Sequence, residues 1–226
     1  MPNTYFNIIE ALVLICSASK GSLKVYLERR TEDPYKGYWM LPGGRVSNNE
    51  TLEEKASEIF KDATGLENEK MFQSKIFSDL DRGGDERVIA QSFFAITDAD
   101  VTAIKDSEKN MEWFDVDELP KIAFDHAKII NDVINEIKLK IVNNYDDILL
   151  DFFPSDFTLP ELQKFYESIA GKKMDRRNFY KKFVSQDLVV DTGIKTTGSS
   201  GRPGVLYRFN VEKMKGKRIW IIKDLG

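Results

Sequence analysis

Short hydrophobic runs, separated by polar and glycine-rich turns, occupy much of the first 120 residues, a pattern typical of β-strands. The predicted strands are Tyr5–Ser17, Leu23–Arg30, Phe72–Phe77, Arg87–Ile96 and Met111–Phe114. A stretch punctuated by Pro and Gly, residues 33–44, follows the second strand. We therefore expect a sheet to form the main part of this region.

Two stretches in the same region have hydrophobic residues at helical spacing instead. The first has an apolar stripe made of Leu52, Ala56, Ile59, Phe60 and Ala63. Asn48 or Asn49 is the expected N-cap of this helix, and Gly65 is expected to end it. The second is Ala127–Val142, an amphipathic stretch that could close the domain or pack against a partner chain. Strands and helices mixed in this order predict an α+β domain over residues 1–142.

The pattern changes after Asn143 to two short helices. Thr158 is the expected cap of the first, with Pro160 in its first turn, Glu161 at the capping-box position and Gly171 beyond its end. A second helix is predicted over 176–186, with Asp175 as its cap.

A two-stranded hairpin follows these helices. Leu188–Val190 and Val205–Phe209 are the predicted strands, and the Gly-, Ser- and Thr-rich segment Thr192–Gly204 is the predicted tip. Helix, turn, helix and hairpin in this order predict a winged helix-turn-helix domain over residues 143–226.

Charge is distributed unevenly along the chain. Residues 1–150 contain 18 Lys and Arg against 28 Asp and Glu, a net charge of −10, whereas residues 151–226 contain 15 against 9, a net charge of +6. A basic segment after an acidic domain favours a polyanionic partner for the smaller part.

Composition excludes several kinds of site. Cys16 and His126 are the single cysteine and the single histidine of the sequence, so an internal disulfide and a Cys/His zinc site are both excluded. The first apolar run, Ile8 to Cys16, contains Glu10 and is far shorter than the roughly 20 residues of a membrane span. We expect a soluble, cytoplasmic protein with no metal and no cofactor.

The segment from Gly44 to Leu66 resembles the Nudix box, which has Gly, five residues, Glu, seven residues, and then Arg-Glu-hydrophobe-any-Glu-Glu-any-Gly-hydrophobe. The residues at matching offsets are Gly44, Glu50, Phe60, Gly65 and Leu66. The preceding Trp39-Met40-Leu41-Pro42-Gly43-Gly44 is similar to the usual lead-in of that family. The resemblance covers roughly residues 5–140 and implies an α/β/α sandwich with a mixed sheet.

The chain departs from the Nudix box at the residues that carry its chemistry. Glu58-Ile59 stands in place of Arg-Glu, and Asp62-Ala63 stands in place of Glu-Glu. In Nudix hydrolases those glutamates hold Mg²⁺ or Mn²⁺, which prefer several oxygen ligands. Glu54, Glu58 and Asp62 share one helix face and leave a rearranged metal site open as an alternative. We predict no catalytic residues and no metal ligands.

The whole chain resembles the Nudix-related transcriptional regulators of the NrtR type, which join a degenerate Nudix domain to a winged helix. Further matches are Phe157–Gln163, Arg177-Asn178-Phe179, Asp191–Lys195, Gly201-Arg202-Pro203 and Leu206-Tyr207. The resemblance implies a homodimeric DNA-binding regulator, usually a repressor, controlled by a small molecule in the Nudix pocket. Members of the family respond to ADP-ribose or related nucleotides, or to pentose-type sugars. The segment Asp81–Val88 is slightly more similar to the sugar-responsive branch.

Two sets of candidate site residues follow. Arginines near the Nudix lead-in and beside the Gly83-Gly84 turn are suited to an anionic or polyhydroxyl ligand. The candidate effector contacts are Arg30, Trp39, Arg45, Glu50, Arg82 and Arg87. On a helical wheel of the second predicted helix, basic residues and an Asn lie opposite Phe179, Tyr180, Phe183 and Val184. The candidate DNA contacts are Arg176, Arg177, Asn178, Lys181, Lys182, Lys195 and Arg202.

Three functions remain open from the sequence. The first is a regulator that binds a double-stranded DNA operator as a homodimer. The second is a Nudix diphosphate hydrolase with a rearranged metal site. The third is a protein-interaction adaptor, in which the basic helix contacts a protein instead of DNA.

Overall fold

The computed structural model of the protein describes residues 7–19, 21–67, 70–97, 110–143, 148–153, 155–196 and 203–214. The chain divides into two compact units. The first contains the described residues of Met1–Ser17 and Lys24–Asn135, and the second contains those of Ala18–Leu23 and Glu136–Gly226. The domain boundary expected between residues 142 and 143 stays a prediction.

Seven strands form one mixed sheet. They are β1 (Ile8–Ser19), β2 (Ser22–Arg29), β3 (Trp39–Met40), β4 (Gly43–Arg45), β5 (Met71–Phe77), β6 (Val88–Ile96) and β7 (Met111–Asp115). The main strand order is β3-β2-β1-β6-β5, with β4 paired to β1 and β7 paired to β2. Strands β1 and β6 are parallel, whereas the pairs β1–β4, β2–β3, β2–β7 and β5–β6 are antiparallel. All five predicted strands lie in this sheet.

The middle of strand β1, Ala11–Cys16, is buried on both faces, because both its odd- and its even-numbered residues are apolar. Ala11, Val13 and Ile15 belong to a core cluster that also contains residues of helix α1 (Leu52–Thr64). Leu12, Leu14 and Cys16 point to the other face and are also buried. Helix α2 (His126–Asn143) buries its isoleucine stripe, as the spacing predicts. The predicted α+β class with a mixed sheet is confirmed.

The cap predicted for α1 was wrong. The N-cap is Thr51, whose hydroxyl accepts a hydrogen bond from Glu54 N at 3.1 Å, while the Glu54 carboxylate accepts one from Thr51 N at 2.8 Å. This reciprocal capping box satisfies backbone donors at the start of the helix. Asn48 and Asn49 lie in the turn before Thr51 and do not cap the helix. Gly65 ends the helix in the left-handed conformation, as predicted.

The second unit has a helix-turn-helix core and a three-stranded sheet. Its elements are α3 (Ile148–Phe152), β8 (Phe157–Thr158), α4 (Leu159–Ala170), α5 (Arg176–Ser185), β9 (Val189–Lys195), β10 (Val205–Phe209) and α6 (Val211–Met214). The sheet order is β8-β10-β9. Aromatic rings fill the core, with Phe165, Phe179 and Phe183 fully buried and in contact with Tyr166. These elements form the predicted winged helix.

The predicted caps of this unit are confirmed. Thr158 and Glu161 form a capping box, Gly171 ends α4 in the left-handed conformation, and the Asp175 side chain accepts from Asn178 N at 2.8 Å. Strand β9, however, continues to Lys195, so the hairpin tip begins later than Thr192. Gly193 has a φ of +73° there, next to a register shift against β10.

Among the helices of these described segments, none combines the length and the apolar character that a membrane crossing requires.

Candidate functional site

A cavity of about 920 Å³ lies within the first unit. Five segments build it: strand β1, the loop after β2, the β3–β4 segment, the turn between β5 and β6, and the start of α2. Its charged lining residues are Glu10, Arg30, Arg45, Asp79, Asp81, Arg82, Glu86 and Asp125. Aromatic rings of Tyr35 and Phe124 and the imidazole of His126 line it as well.

Arg82 holds the start of α2 to strand β1. Its Nε donates to Asp125 Oδ2 at 3.1 Å and its Nη2 to Asp125 Oδ1 at 3.3 Å, while its Nη1 lies 3.4 Å from Glu10 Oε2. The Arg82 side chain is only 3% exposed. Paired donors on a planar guanidinium match the two oxygens of a carboxylate, so this contact fixes orientation as well as charge.

His126 is neutral and has a defined tautomer. Burial lowers the pKa of His126 from its ordinary value to about 4, so the ring is uncharged at neutral pH. Its Nδ1 accepts a hydrogen bond from Leu41 N at 3.1 Å. The single ring proton is therefore on Nε2, which makes His126 a hydrogen-bond donor in the wall of the cavity.

Arg30 uses its donors on the loop that follows β2. Its Nε donates to the carbonyl of Pro34 at 2.6 Å and its Nη2 to that of Asp33 at 3.3 Å. The guanidinium carbon also lies 4.9 Å from the centroid of the Phe124 ring. Arg30 thus lines the cavity and also positions its neighbours.

Two further arginines stabilise the turn between β5 and β6. Arg45 donates to Glu86 at 2.9 Å, and both side chains are mostly exposed. Arg87 donates to the carbonyls of Ser78 and Asp79 at 2.8 and 3.1 Å and is not among the residues that line the cavity. A hydrogen bond from Lys128 holds the pKa of the Asp79 carboxyl below its usual range.

Trp39 and Glu50 also lie outside the lining. The Trp39 ring packs edge-on against Phe114, with centroids 4.7 Å apart, and its backbone pairs with Lys121 and Ala123. The Glu50 carboxylate accepts from Ser47 N at 2.7 Å, and this backbone hydrogen bond lowers the pKa of Glu50. The structure therefore brings Arg30, Arg45 and Arg82 together at the cavity and leaves Trp39, Glu50 and Arg87 out. Their roles as effector contacts stay predictions.

Sequence reasoning missed several residues of this cavity. Glu10 stands out in the sequence only as an interruption of an apolar run, and His126 only as the single histidine. No sequence motif marks Tyr35, Phe124 or Asp125 as a ligand contact. The one local signal was the run of polar and aromatic residues, 123–126, directly before a long amphipathic helix.

The residues of the Nudix-box segment do not fit a divalent metal. Ile59 and Ala63 are buried in the core cluster, Glu54 is engaged in the helix cap, and Glu58 pairs with Lys55 at 3.1 Å. Within the described ranges, no group of three or more His, Cys, Asp or Glu side chains is arranged to hold a metal ion. Mg²⁺ needs several oxygen ligands, and two of the expected positions present only carbon.

The second unit presents a basic helix face. Arg177, Asn178 and Lys181 are exposed on α5, whereas Phe179 and Phe183 on its other side are fully buried. Arg176, in the first turn, is exposed as well. The Arg176 guanidinium lies 5.4 Å from the Tyr180 ring centroid, and Lys182 is half-buried. Val184 was expected on the packed side, but it is 46% exposed near the end of the helix.

The remaining candidate DNA contacts belong to the hairpin. Lys195 is exposed at the end of β9, in the strand and not in the hairpin tip. Arg202 lies outside the described residues.

Comparison with known proteins agrees with this architecture. Residues 8–133, more than half of the chain, match the family model of the NUDIX domain. The chain belongs to the NUDIX family. Residues 149–209, after the NUDIX domain, match the model of the NrtR DNA-binding winged helix domain. The predicted combination of a Nudix domain and an NrtR-type winged helix is thus confirmed.

Relatives of this NUDIX protein include regulators and enzymes. The ADPR responsive transcriptional repressor NtrR of Acinetobacter baylyi is 28% identical over 204 residues, which cover 88% of this chain and 80% of that protein. The ADP-ribose pyrophosphatase of Methanocaldococcus jannaschii is 38% identical over 109 residues, which cover 48% of this chain and 64% of that protein.

Among solved structures, Shewanella oneidensis NrtR, crystallised with a 27mer DNA, superposes on this NUDIX protein with a TM-score of 0.72. The identity is 24%, and the match covers 91% of this chain and 95% of that one. The similarity shows that the two chains share their fold.

Proposed function

We propose that this protein is a DNA-binding transcriptional repressor whose NUDIX domain binds a small-molecule effector without hydrolysing it. The observation that carries the proposal is the two-sided character of α5: exposed Arg177, Asn178 and Lys181 lie opposite two fully buried phenylalanines. The similarity to an ADPR responsive transcriptional repressor over 88% of the chain supports it.

Helix α5 is suited to the major groove. Arg and Lys donate to guanine edges and phosphates, and Asn pairs with adenine edges, so Arg177, Asn178 and Lys181 together have the chemistry of base reading. The buried phenylalanines anchor the helix to its domain and leave this face free. We further propose a homodimer on two half-sites, which helix-turn-helix dimers bind about 34 Å apart.

The effector is proposed to be ADP-ribose or a pentose-type sugar. Two relatives have ADP-ribose in their names, which favours the nucleotide. The charge of the cavity favours hydroxyl groups. Five acidic side chains line it against three arginines, and each of these arginines already donates to a protein oxygen. Carboxylates accept hydrogen bonds from sugar hydroxyls, whereas a diphosphate adds negative charge that this lining does not neutralise.

Control of DNA binding by such a ligand requires one further property. The effector must bind the DNA-competent and the DNA-incompetent states with different affinity. A ligand with equal affinity for both states does not change the equilibrium between them. Coupling energies of about 1–3 kcal/mol are typical and are sufficient for a switch.

The alternative is a diphosphate hydrolase, which the similarity to an ADP-ribose pyrophosphatase favours. Two features count against it: Ile59 and Ala63 are packed in the core, and the Glu58 carboxylate is paired with Lys55. An adaptor that uses α5 to contact a protein would require neither DNA affinity nor a ligand in the cavity.

Binding and turnover measured on the same sample separate regulator from enzyme. We expect calorimetry to detect binding of ADP-ribose or of one member of a pentose panel. With ADP-ribose present, chromatography should show no ADP-ribose cleavage in Mg²⁺ or Mn²⁺. Metal-dependent cleavage that Glu54→Gln or Glu58→Gln abolishes would establish the hydrolase instead. Absence of binding by every compound would contradict the effector part of the proposal.

A further inference from the structure

Two aromatic residues in the cavity wall have an unusual backbone conformation. Tyr35 has a φ of +68° and Phe124 a φ of +54°, and both line the cavity. The left-handed region is disfavoured for residues with a Cβ, and a bulky aromatic residue there is an outlier. Such conformations persist only where the surroundings hold them, and they are concentrated at ligand sites.

Burial does not explain these two rings. Tyr35 is 45% exposed and Phe124 is 37% exposed, so neither is a core residue of the domain. Asn would adopt the same backbone conformation at lower cost, because its short side chain tolerates the left-handed region. The presence of rings at both positions therefore calls for a role outside the packing of the core.

Neighbouring groups nevertheless fix the orientation of the pair. The two rings meet edge to face, with centroids 4.9 Å apart and an interplanar angle of 64°. The Arg30 guanidinium lies over Phe124, and its Nε donates to Pro34, the residue before Tyr35. The segment before Phe124 is held in place by the hydrogen bond from Ala123 N to Trp39 O at 2.8 Å. The rings thus form a preorganised surface, exposed and oriented.

Polar groups lie beside this surface. The ring centroids of Phe124 and His126 are 5.6 Å apart, and Asp125, bound to Arg82, is the residue between them. A ligand ring that stacks on Tyr35 or Phe124 is therefore close to a fixed donor and to a carboxylate. A ligand that combines a flat ring face with hydroxyl groups is complementary to this surface: its ring can stack, and its hydroxyl groups can pair with the donor and the carboxylate.

We propose that Tyr35 and Phe124 form an aromatic platform on which a ring of the effector stacks. This inference rests on the proposed effector-binding function of the cavity. Two ligand rings have the required chemistry: the adenine of a nucleotide such as ADP-ribose, and the CH face of a sugar.

The test uses Tyr35→Asn and Phe124→Asn in the full chain. Each substitution removes a ring and relieves the backbone, so affinity and stability move in different directions. We expect the Kd measured by calorimetry to weaken on the order of tenfold for each variant, the usual effect of losing one stacked ring. The Tm of the ligand-free protein should stay unchanged or rise by about 2–4 °C.

Tyr38→Leu is the matched control. Tyr38 lies in the same loop, and its ring contacts Tyr35 at a centroid distance of 5.8 Å, but it is outside the cavity lining. We expect this variant to bind the ligand with wild-type affinity. Titrations with ADP-ribose, ribose 5-phosphate, ribose and arabinose identify the stacked ring. A loss for ADP-ribose alone would assign adenine, and a loss for the sugars would assign the sugar face.

Three results would overturn the inference. Variants with wild-type affinity would show that the rings do not contact the ligand and would leave the proposed function intact. A fall in Tm that accompanies the loss of affinity would assign the rings a structural role. Wild-type protein that bound none of these compounds would overturn the inference and the effector half of the proposed function together.

Discussion

Replacing Arg177 and Lys181 together by alanine is expected to weaken binding to the protein's own promoter on the order of 30- to 20,000-fold. Each lost contact of an Arg or Lys with a base edge or phosphate costs about 1–3 kcal/mol, and the salt dependence should fall because fewer counterions are released. Fluorescence anisotropy with a labelled duplex at several salt concentrations measures both quantities.

The same substitutions should leave the fold intact. Both side chains are exposed, and alanine has the highest helix propensity, so the thermal unfolding of the second unit should not move to lower temperature. Loss of affinity without loss of stability separates a contact role from a structural one.

Lys213→Glu is the control for net charge. Lys213 is exposed on α6 in the same unit, and the change from Lys to Glu alters the charge by −2, as the double alanine variant does. We expect a much smaller loss than for the double variant, because Lys213 is not on the proposed recognition helix and its charge would act on DNA only through the screened field. Equal losses would contradict the assignment of α5 as the recognition helix and would leave only non-specific attraction.

Arg82→Ala is expected to lower the free energy of unfolding of the first unit by about 3 kcal/mol. The guanidinium is almost fully buried between Asp125 and Glu10, so its removal leaves two partly buried carboxylates without their partner. Breaking a buried ion pair in this way costs about 3–5 kcal/mol, and the partial exposure of the two carboxylates places this variant at the lower end. Urea unfolding followed by tryptophan fluorescence, with Trp220→Phe as the common background, reports on the NUDIX domain, because Trp39 and Trp113 belong to it and Trp220 does not.

A control variant and a double variant test whether the buried ion pair is the cause of the lost stability. Arg45→Ala breaks the exposed pair with Glu86 and should cost about 0–1 kcal/mol. Adding Asp125→Asn to Arg82→Ala should recover part of the lost stability, since it removes one unpaired charge. If Arg45→Ala and Arg82→Ala destabilised the protein equally, the buried pair would not be the element that holds α2 to β1.

The local patterns that predicted the fold are those that depend on neighbours in sequence. The helix caps act on backbone groups within three or four residues, so their roles can be predicted from spacing alone. This holds for Thr158, Glu161, Gly171 and Asp175. The wrong cap of α1 was a competition among nearby candidates: Asn48 and Asn49 are good caps, but the Thr51–Glu54 pair satisfies two donors at once.

The cavity was much less predictable, because chain topology builds it. Arg82 and Asp125 are 43 residues apart, and Arg82 and Glu10 are 72 apart, and nothing local connects them. Arg30 was named from its place near the lead-in, but the carbonyls that occupy its donors depend on how the next loop folds. Trp39, by contrast, was a predicted contact that does not line the cavity. Its ring packs on Phe114, and only its backbone pairs with the segment that leads to the cavity.

The central claim is that one chain binds operator DNA and that a ligand in the NUDIX domain changes this binding. The most direct test is an anisotropy titration of the protein against its own promoter and a scrambled duplex, repeated with ADP-ribose and with each pentose. We predict a salt-sensitive preference for the promoter that one ligand shifts by about 5- to 150-fold, the range of typical coupling energies. Equal affinity for both duplexes, or a promoter affinity that none of the ligands changes, would contradict the claim.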